Sequence, residues 1–258
     1  MVSLLTRLFG RQQPTAPIAA IPPGCRVYAI GDVHGRLDLL DDLLDRIAVD
    51  DRDRPPADTQ IIFLGDLIDR GPESRGVVDR AMAMAVGGIN VRFLMGNHEE
   101  VLLAALKGRQ GAMRQFIRIG GGQTLHSYGI TGSEYRDADF DELVELARAR
   151  IPAEHVEFLA GFEDRIGIGD YLFVHAGIRP GIPLDKQRPS DLRWIREEFV
   201  GHAGNHGRII VHGHTVTDHV EERPNRIGID TGAFASGRLT ALALEGSERW
   251  YLTGALPV

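Results

Sequence analysis

Lysine is nearly absent from this 258-residue sequence, which holds one cysteine, no basic tract and no long apolar run. Lys107 and Lys186 are the two lysines, and neither sits in a G-x-x-x-x-G-K-[ST] context, which excludes a P-loop. The lone Cys25 rules out an internal disulfide and a thiolate-built zinc site, which suits a reducing compartment, and a cytoplasmic location is expected. No base lies near Cys25 in sequence, so a nucleophilic role for it is set aside. Acidic residues outnumber basic ones, 36 to 29, for a net charge of −7, and without a basic stripe the electrostatic footprint for nucleic acid is missing. Nothing approaches the roughly 20 consecutive apolar residues of a membrane-spanning helix. The opening stretch Met1 to Gly10 is too short, and too interrupted by Arg7, to be a secretory signal. Pro14, Pro17, Pro22 and Pro23 follow, so residues 1–24 are read as a flexible leader and linker.

With 43% hydrophobic and 25% charged residues, the remaining chain can bury a substantial core. Residues 25–258 are read as one domain. Short apolar runs alternate with helical periodicity, the signature of stacked βα units. Strands are predicted at 26–30, 60–64 and 90–95, each followed by an amphipathic helix, at 37–48, 74–86 and 98–107. In the first helix Leu37, Leu40, Leu44 and Ile47 share a face, and Asp38, Asp41, Asp42 and Asp45 make a solvated one. Residues 110–162 have weaker periodicity and a Gly120-Gly121-Gly122 run, and read as a helical insertion or cap, with the glycines as a hinge. Further strands are predicted at 170–174, 208–211, 226–229, 238–244 and 249–252. An α/β fold of two packed mixed sheets flanked by helices accommodates all of these.

Five of the strands run directly into polar clusters: Gly31-Asp32-Val33-His34-Gly35, Gly65-Asp66-Leu67-Ile68-Asp69-Arg70-Gly71, Gly96-Asn97-His98-Glu99, His175-Ala176-Gly177 and His212-Gly213-His214-Thr215. Ligands of α/β sheets bind at the carboxyl ends of strands, so the five clusters should meet on one rim. Asp, His and an Asn carbonyl make an oxygen and imidazole donor set suited to manganese, iron or zinc, and more than four donors point to two ions. Two cations about 3.5–4 Å apart need a shared anionic ligand, and Asp66 is the best candidate.

The patterns Gly-Asp-x-His, Gly-Asp-x-x-Asp-Arg-Gly and Gly-Asn-His-Glu, with two later His clusters, resemble those of the calcineurin-like metallophosphoesterase superfamily, in particular its bacterial and phage serine/threonine phosphatases. The resemblance runs from Arg26 to Gly232. It implies that Asp32, His34 and Asp66 hold a first divalent ion and that Asp66, Asn97, His175 and His214 hold a second. Manganese is the first choice of metal, with iron or zinc as alternatives. The resemblance further implies that His98 is the general acid, that Asp69 orients it, and that Arg70 and Arg196 clamp the phosphate together with Asn97. A serine alkoxide leaves poorly, so an imidazolium that gives up its proton lowers that barrier. An Arg fork grips two phosphate oxygens at once.

The implied activity is direct hydrolysis of phosphoserine or phosphothreonine in a protein partner, by metal-activated water and without a phosphoenzyme. A symmetrical diadenosine tetraphosphate hydrolase is the alternative within the fold; as a family those enzymes usually lack an acidic residue where Asp69 stands. A catalytically silent phosphoprotein-binding module is the alternative outside it, and the intact ligand set speaks against that. Asp32 and His34 alone would read more simply as a turn and a helix start. His212 competes with His214, and the resemblance selects His214. His126, His155, His202, His206 and His219 read as surface or structural residues, and Asp230 as a turn residue near the site.

Overall fold

The computed structural model describes residues 19–255. Ten strands form two five-stranded sheets. The first sheet contains β1 (Cys25–Ile30), β2 (Asp58–Phe63) and β3 (Val91–Phe93), and the second begins with β4 (Arg165–Ile168), β5 (Tyr171–Val174) and β6 (Ile209–His212). The chain then adds β7 (Glu221–Arg223) and β8 (Arg226–Gly228) to the second sheet and returns to the first with β9 (Arg238–Glu245) and β10 (Glu248–Ala255). Strand orders are β10-β9-β1-β2-β3 and β4-β5-β6-β8-β7. Within them β1-β2-β3 and β5-β6-β8 are parallel, and the outer pairings are antiparallel, so both sheets are mixed as expected.

Side-chain alternation along β1 builds the layers. Val27 and Ala29 face the second sheet, where they join Ile62, Phe173, Val211 and Ile227 in an inter-sheet core. Tyr28 and Ile30 point the other way, onto α1 (Leu37–Arg52) and α2 (Ser74–Val86). The next helix, α3 (Asn97–Leu106), starts at the end of the β3 segment. Successive strand residues address opposite faces, so nearly continuous apolar runs follow where both faces are covered.

Residues 112–160 are helical, in five segments: α4 (Ala112–Phe116), α5 (Gly122–Ser127), α6 (Gly132–Asp137), α7 (Phe140–Arg150) and α8 (Ala153–Ala160). One π-helical turn at Ile117–Gly121 joins α4 to α5, with Gly120 at φ +117°. The three glycines therefore lie inside a kinked helical run, and the hinge reading does not describe them. Three short helices complete the chain, α9 (Pro189–Trp194), α10 (Glu197–Val200) and α11 (Ala233–Ser236). No helix among the described residues is long and apolar enough to cross a membrane.

Sequence periodicity missed β4 and β7, whose runs Arg165–Ile168 and Glu221–Arg223 are too short and polar to stand out. The segment read as a leader is described only from Ala19, its first 18 residues lying outside the described residues. There Ile21 is buried, and its N–H donates to the Gly246 carbonyl at 2.9 Å.

Phe93 on β3 stacks on Phe63 of β2 and on Phe162, with ring centroids 5.0 and 5.1 Å apart, and meets Phe158 of α8 edge-on. This ladder ties the helical segment to the first sheet. Phe93→Ala is expected to destabilise the protein by about 3–5 kcal/mol, read as a lower midpoint in urea denaturation.

Candidate metal centre

The parallel strands of the two sheets end at one rim, and the metal-ligand candidates from the sequence follow those ends, whereas Arg196 lies between α9 and α10. Asp66 stands at the middle of the rim. Its Oδ2 lies 3.7 Å from His34 Nε2, 3.7 Å from His98 Nε2 and 3.4 Å from His175 Nε2. Two groups able to hold an ion share it: His34, Asp66 and His98, and Asp66, His175 and His214, all buried.

The donor chemistry fits cations. His34 and His175 each commit Nδ1–H to a backbone carbonyl, Ile68 and Leu64 respectively, both at 2.8 Å, which turns Nε2 of each into an acceptor aimed at Asp66. His175 Nε2 also faces Asn97 Oδ1 at 3.0 Å, an acceptor against an acceptor. The buried Nε2 atoms of His34 and His214 have no hydrogen-bond partner. Burial holds the pKa of His34 down to about 3 and that of His214 to about 2, so both rings are neutral imidazoles at pH 7, able to accept a cation. Burial, with Asp230 and Asp66 nearby, pushes Asp32 well above the ordinary carboxylate range. Buried carboxylates facing neutral imidazoles make a donor set whose charge divalent ions would balance.

Asp32 stands at the same rim, beside His214. Its two carboxylate oxygens accept the His214 N–H at 3.1 and 3.2 Å, and His98 completes the group around His34 and Asp66. Asn97 opens α3, and His98 follows with its N–H on Asp66 Oδ1 at 3.1 Å. His98 Nδ1–H donates to Asp69 Oδ2 at 2.6 Å, and its Nε2 accepts from Arg70 Nη2 at 3.2 Å. Burial works against a charged His98, yet Asp66 and Asp69 outweigh it and raise the pKa.

Arg70 also lies over the ring of Phe234 in α11, 4.7 Å from its centroid. Arg196 is exposed just before α10, and its charge helps to depress both His175 and His214, although burial is the larger cause. The stretch carrying Arg196 is tied to α3, because Trp194 Nε1–H donates to Glu100 at 2.6 Å.

His212 turns away from this centre. Its Nδ1–H donates to the Gly213 carbonyl at 3.0 Å and its Nε2 accepts from the buried Arg226 at 3.3 Å. Asp230 accepts the Gly232 N–H at 2.9 Å, and burial lifts its pKa to about 6.

Sequence reading gave Glu99 no role, and the structure gives it a large one. Its fully buried carboxylate accepts the N–H groups of Asp66 at 2.9 Å, Leu67 at 2.8 Å, Gly96 at 3.1 Å and Ile68 at 3.4 Å. The available signal was its position three residues after Gly96, where a carboxylate caps a helix start. Gly96 itself must lack a side chain, since a Cβ there would lie 2.1 Å from Asp66 Oδ1. Thr124, which touches Asp69, lies in α5 and carried no signal.

Backbone strain picks out the same residues. Among the described residues, the non-glycine positions with positive φ are His34, Asp66, Asp69, Arg70 and His214, all five of them site residues.

A family profile described as calcineurin-like phosphoesterase matches residues 25–232. The chain is 31% identical over 178 residues to the symmetrical bis(5'-nucleosyl)-tetraphosphatase of Acidovorax sp. (strain JS42), covering 69% of this chain and 49% of that protein. It thus spans about half the length of the symmetrical relatives it matches. It is 26% identical over 251 residues to the asymmetrical bis(5'-nucleosyl)-tetraphosphatase of Anoxybacillus flavithermus (strain DSM 21510 / WK1), covering 88% of this chain and 94% of that one. A crystal structure provisionally described as a diadenosine tetraphosphatase shares the fold with a TM-score of 0.62 and 22% identity, over 93% of this chain and 100% of that chain. None of these three carries the name of a protein phosphatase.

Two outcomes follow from the geometry. Asp66→Asn is expected to lose bound divalent metal, measured by elemental analysis, and activity with it; full metal occupancy would remove Asp66 from the centre. The second concerns pH. Burial lowers His212 from 6.5 to about 4, so between those values the unfolded chain binds the extra proton. Stability is therefore complete above pH 6.5 and falls as pH drops toward 4. His212→Gln should show a smaller loss of Tm between pH 7 and 5 than the parent.

Proposed function

The chain belongs to the calcineurin-like phosphoesterase family, and from that premise we propose that it is a divalent-metal-dependent hydrolase of bis(5'-nucleosyl) tetraphosphates. The reaction class rests on the buried Asp66 carboxylate shared by two histidine groups. The substrate rests on the relatives of both kinds, which are named for tetraphosphates. Asymmetrical cleavage, to a nucleoside triphosphate and a monophosphate, is favoured. What supports this is the asymmetrical relative, matched over 88% of this chain and 94% of its own length.

Asp32, His34 and Asp66 would hold one ion, and Asp66, Asn97, His175 and His214 the other. When bound, two such ions, manganese foremost, supply Lewis acidity and a water activated at neutral pH. The chain's own residues do the rest. Arg70 and Arg196 bind phosphate oxygens from opposite sides, and Asn97 adds a contact beside them. His98 holds a proton at Nε2 once Arg70 leaves it for the phosphate, and Asp69 fixes the ring through Nδ1. One water adds its oxygen to phosphorus, one bridging P–O bond breaks, and the departing oxygen takes the His98 proton when it is basic enough to need it.

That last condition supports a second activity. A nucleotide leaving from a polyphosphate is a weak base and departs without help, whereas the alkoxide of serine or threonine needs a proton. The 2.6 Å contact between His98 and Asp69 therefore favours phosphomonoesters as well, phosphoserine and phosphothreonine in proteins among them.

Diadenosine tetraphosphate and a phosphothreonine peptide, each assayed with Mn²⁺ and with chelator, separate these readings. ATP and AMP, formed only with metal, are the expected products of the first. Two ADP would assign symmetrical cleavage, and turnover of the peptide alone would make it a protein phosphatase. His98→Asn should keep its metal and lose about 10²–10⁴ in kcat on the peptide, with a much smaller loss on the dinucleotide.

A further inference from the structure

The helical segment over the first sheet reaches into the centre at one side chain. Thr124 of α5 is fully buried, and its hydroxyl meets Asp69 twice. Thr124 Oγ1–H donates to Asp69 Oδ1 at 2.6 Å, and Oγ1 accepts the Asp69 N–H at 2.9 Å. Ser74 Oγ stands 2.9 Å from Thr124 Oγ1 and accepts the same Asp69 N–H at 3.0 Å. With the Thr124 proton on the carboxylate, the Ser74 hydroxyl donates to Thr124. Each oxygen of Asp69 then has one partner, Thr124 on Oδ1 and His98 Nδ1 on Oδ2.

We propose that Thr124 is a positioning residue for the His98–Asp69 pair, acting by fixing the rotation of the Asp69 carboxylate so that Oδ2 meets His98 Nδ1–H. Asp69 sits at φ +75° and Arg70 at φ +66°, a backbone that side-chain-bearing residues seldom adopt. The insertion's helical run contacts both: Thr124, together with Ser74 of α2, accepts the Asp69 N–H, and the kink carbonyl of Gly120 accepts the Arg70 N–H at 3.1 Å. A Cβ at Gly120 would lie 2.8 Å from Arg70 Cγ, so the kink itself is seated on the clamp residue. The insertion thereby becomes part of the acid's support. The bland role for Thr124, satisfying a buried carboxylate, makes different predictions from this one.

This inference rests on the reading of His98 as proton donor, and the test separates the two. Thr124→Val removes the hydroxyl at nearly constant shape, and Thr124→Ser keeps it. Each metal-loaded variant is assayed on a series of aryl and alkyl phosphates of rising leaving-group basicity. Thr124→Val is expected to lose about tenfold or more in kcat on the most basic leaving groups, a share of what a positioned acid supplies. KM and the rate on dinitrophenyl phosphate should barely change, and Thr124→Ser should restore the loss. An equal loss on every substrate, or none, would overturn the proposal. If His98→Asn leaves the leaving-group slope unchanged, the donor reading fails; if it steepens the slope and Thr124→Val does not, Thr124 alone fails. A readout without turnover is the downfield proton resonance of His98 Nδ1–H, which Thr124→Val should move upfield and Thr124→Ser should retain. An unmoved line would likewise overturn the role.

Discussion

The buried carboxylate of Glu99, closed over by the backbone N–H groups of Asp66, Leu67, Ile68 and Gly96, is the constraint on which the centre depends. A carboxylate with no exposure is costly unless its oxygens are filled, and these four donors fill them. In return they fix the path of the chain as it leaves β2. Asp66 is thereby held at φ +50°, and its carbonyl accepts the N–H groups of Val33 at 3.1 Å and His34 at 2.9 Å. The loops after β1 and β2 are thus laced together backbone to backbone, with α3 as the anchor. Each left-handed non-glycine residue costs of the order of 1–3 kcal/mol, and five cluster here because the surrounding hydrogen bonds leave them no alternative.

From that anchor the two sheets divide the work. The first sheet and α3 deliver Asp32, His34, Asp66, Asn97 and His98, and the second brings His175 and His214 to the same rim. Hydrogen bonds across the divide set the register of one sheet on the other: His175 donates to the Leu64 carbonyl, and Asp32 accepts from His214. The inter-sheet core of aliphatic side chains with Phe173 and Tyr171 packs behind those contacts. A centre assembled from both sheets is therefore a statement about their packing as much as about its ligands.

The helices of the first three βα units were legible because their apolar positions recur at helical spacing, and α2 falls on its predicted bounds. The glycine-flanked clusters were legible because strand ends are where an α/β sheet presents its chemistry. What escaped was written in contacts between distant segments. Glu99 looks like any acidic residue in a first helical turn until the loop after β2, more than thirty residues earlier, is folded onto it. Thr124 meets Asp69 across 55 residues, and nothing local to Gly122–Ser127 says so. The Asp32 contact was invisible for the same reason: its carboxylate accepts the N–H of His214, 182 residues away.

Substrate choice is governed by a different part of the centre from metal capture. Metal ions held around Asp66 would activate water and neutralise phosphate whatever group departs, and so would not distinguish a tetraphosphate from a phosphoprotein. The pair His98 and Asp69, as the proposed proton donor and its orienting carboxylate, would distinguish them, since the value of a proton donor grows with the basicity of the leaving oxygen. A chain that only cleaved polyphosphates would gain little from a buried Asp69, whose desolvation raises its pKa and whose backbone is strained. Retaining that residue, bonded on both oxygens and braced by a helix from the insertion, has a physical rationale when some substrate leaves as an alkoxide. On the proposed reading of His98 as proton donor, its buried support argues for a reaction range wider than the nucleotide chemistry for which the relatives are named.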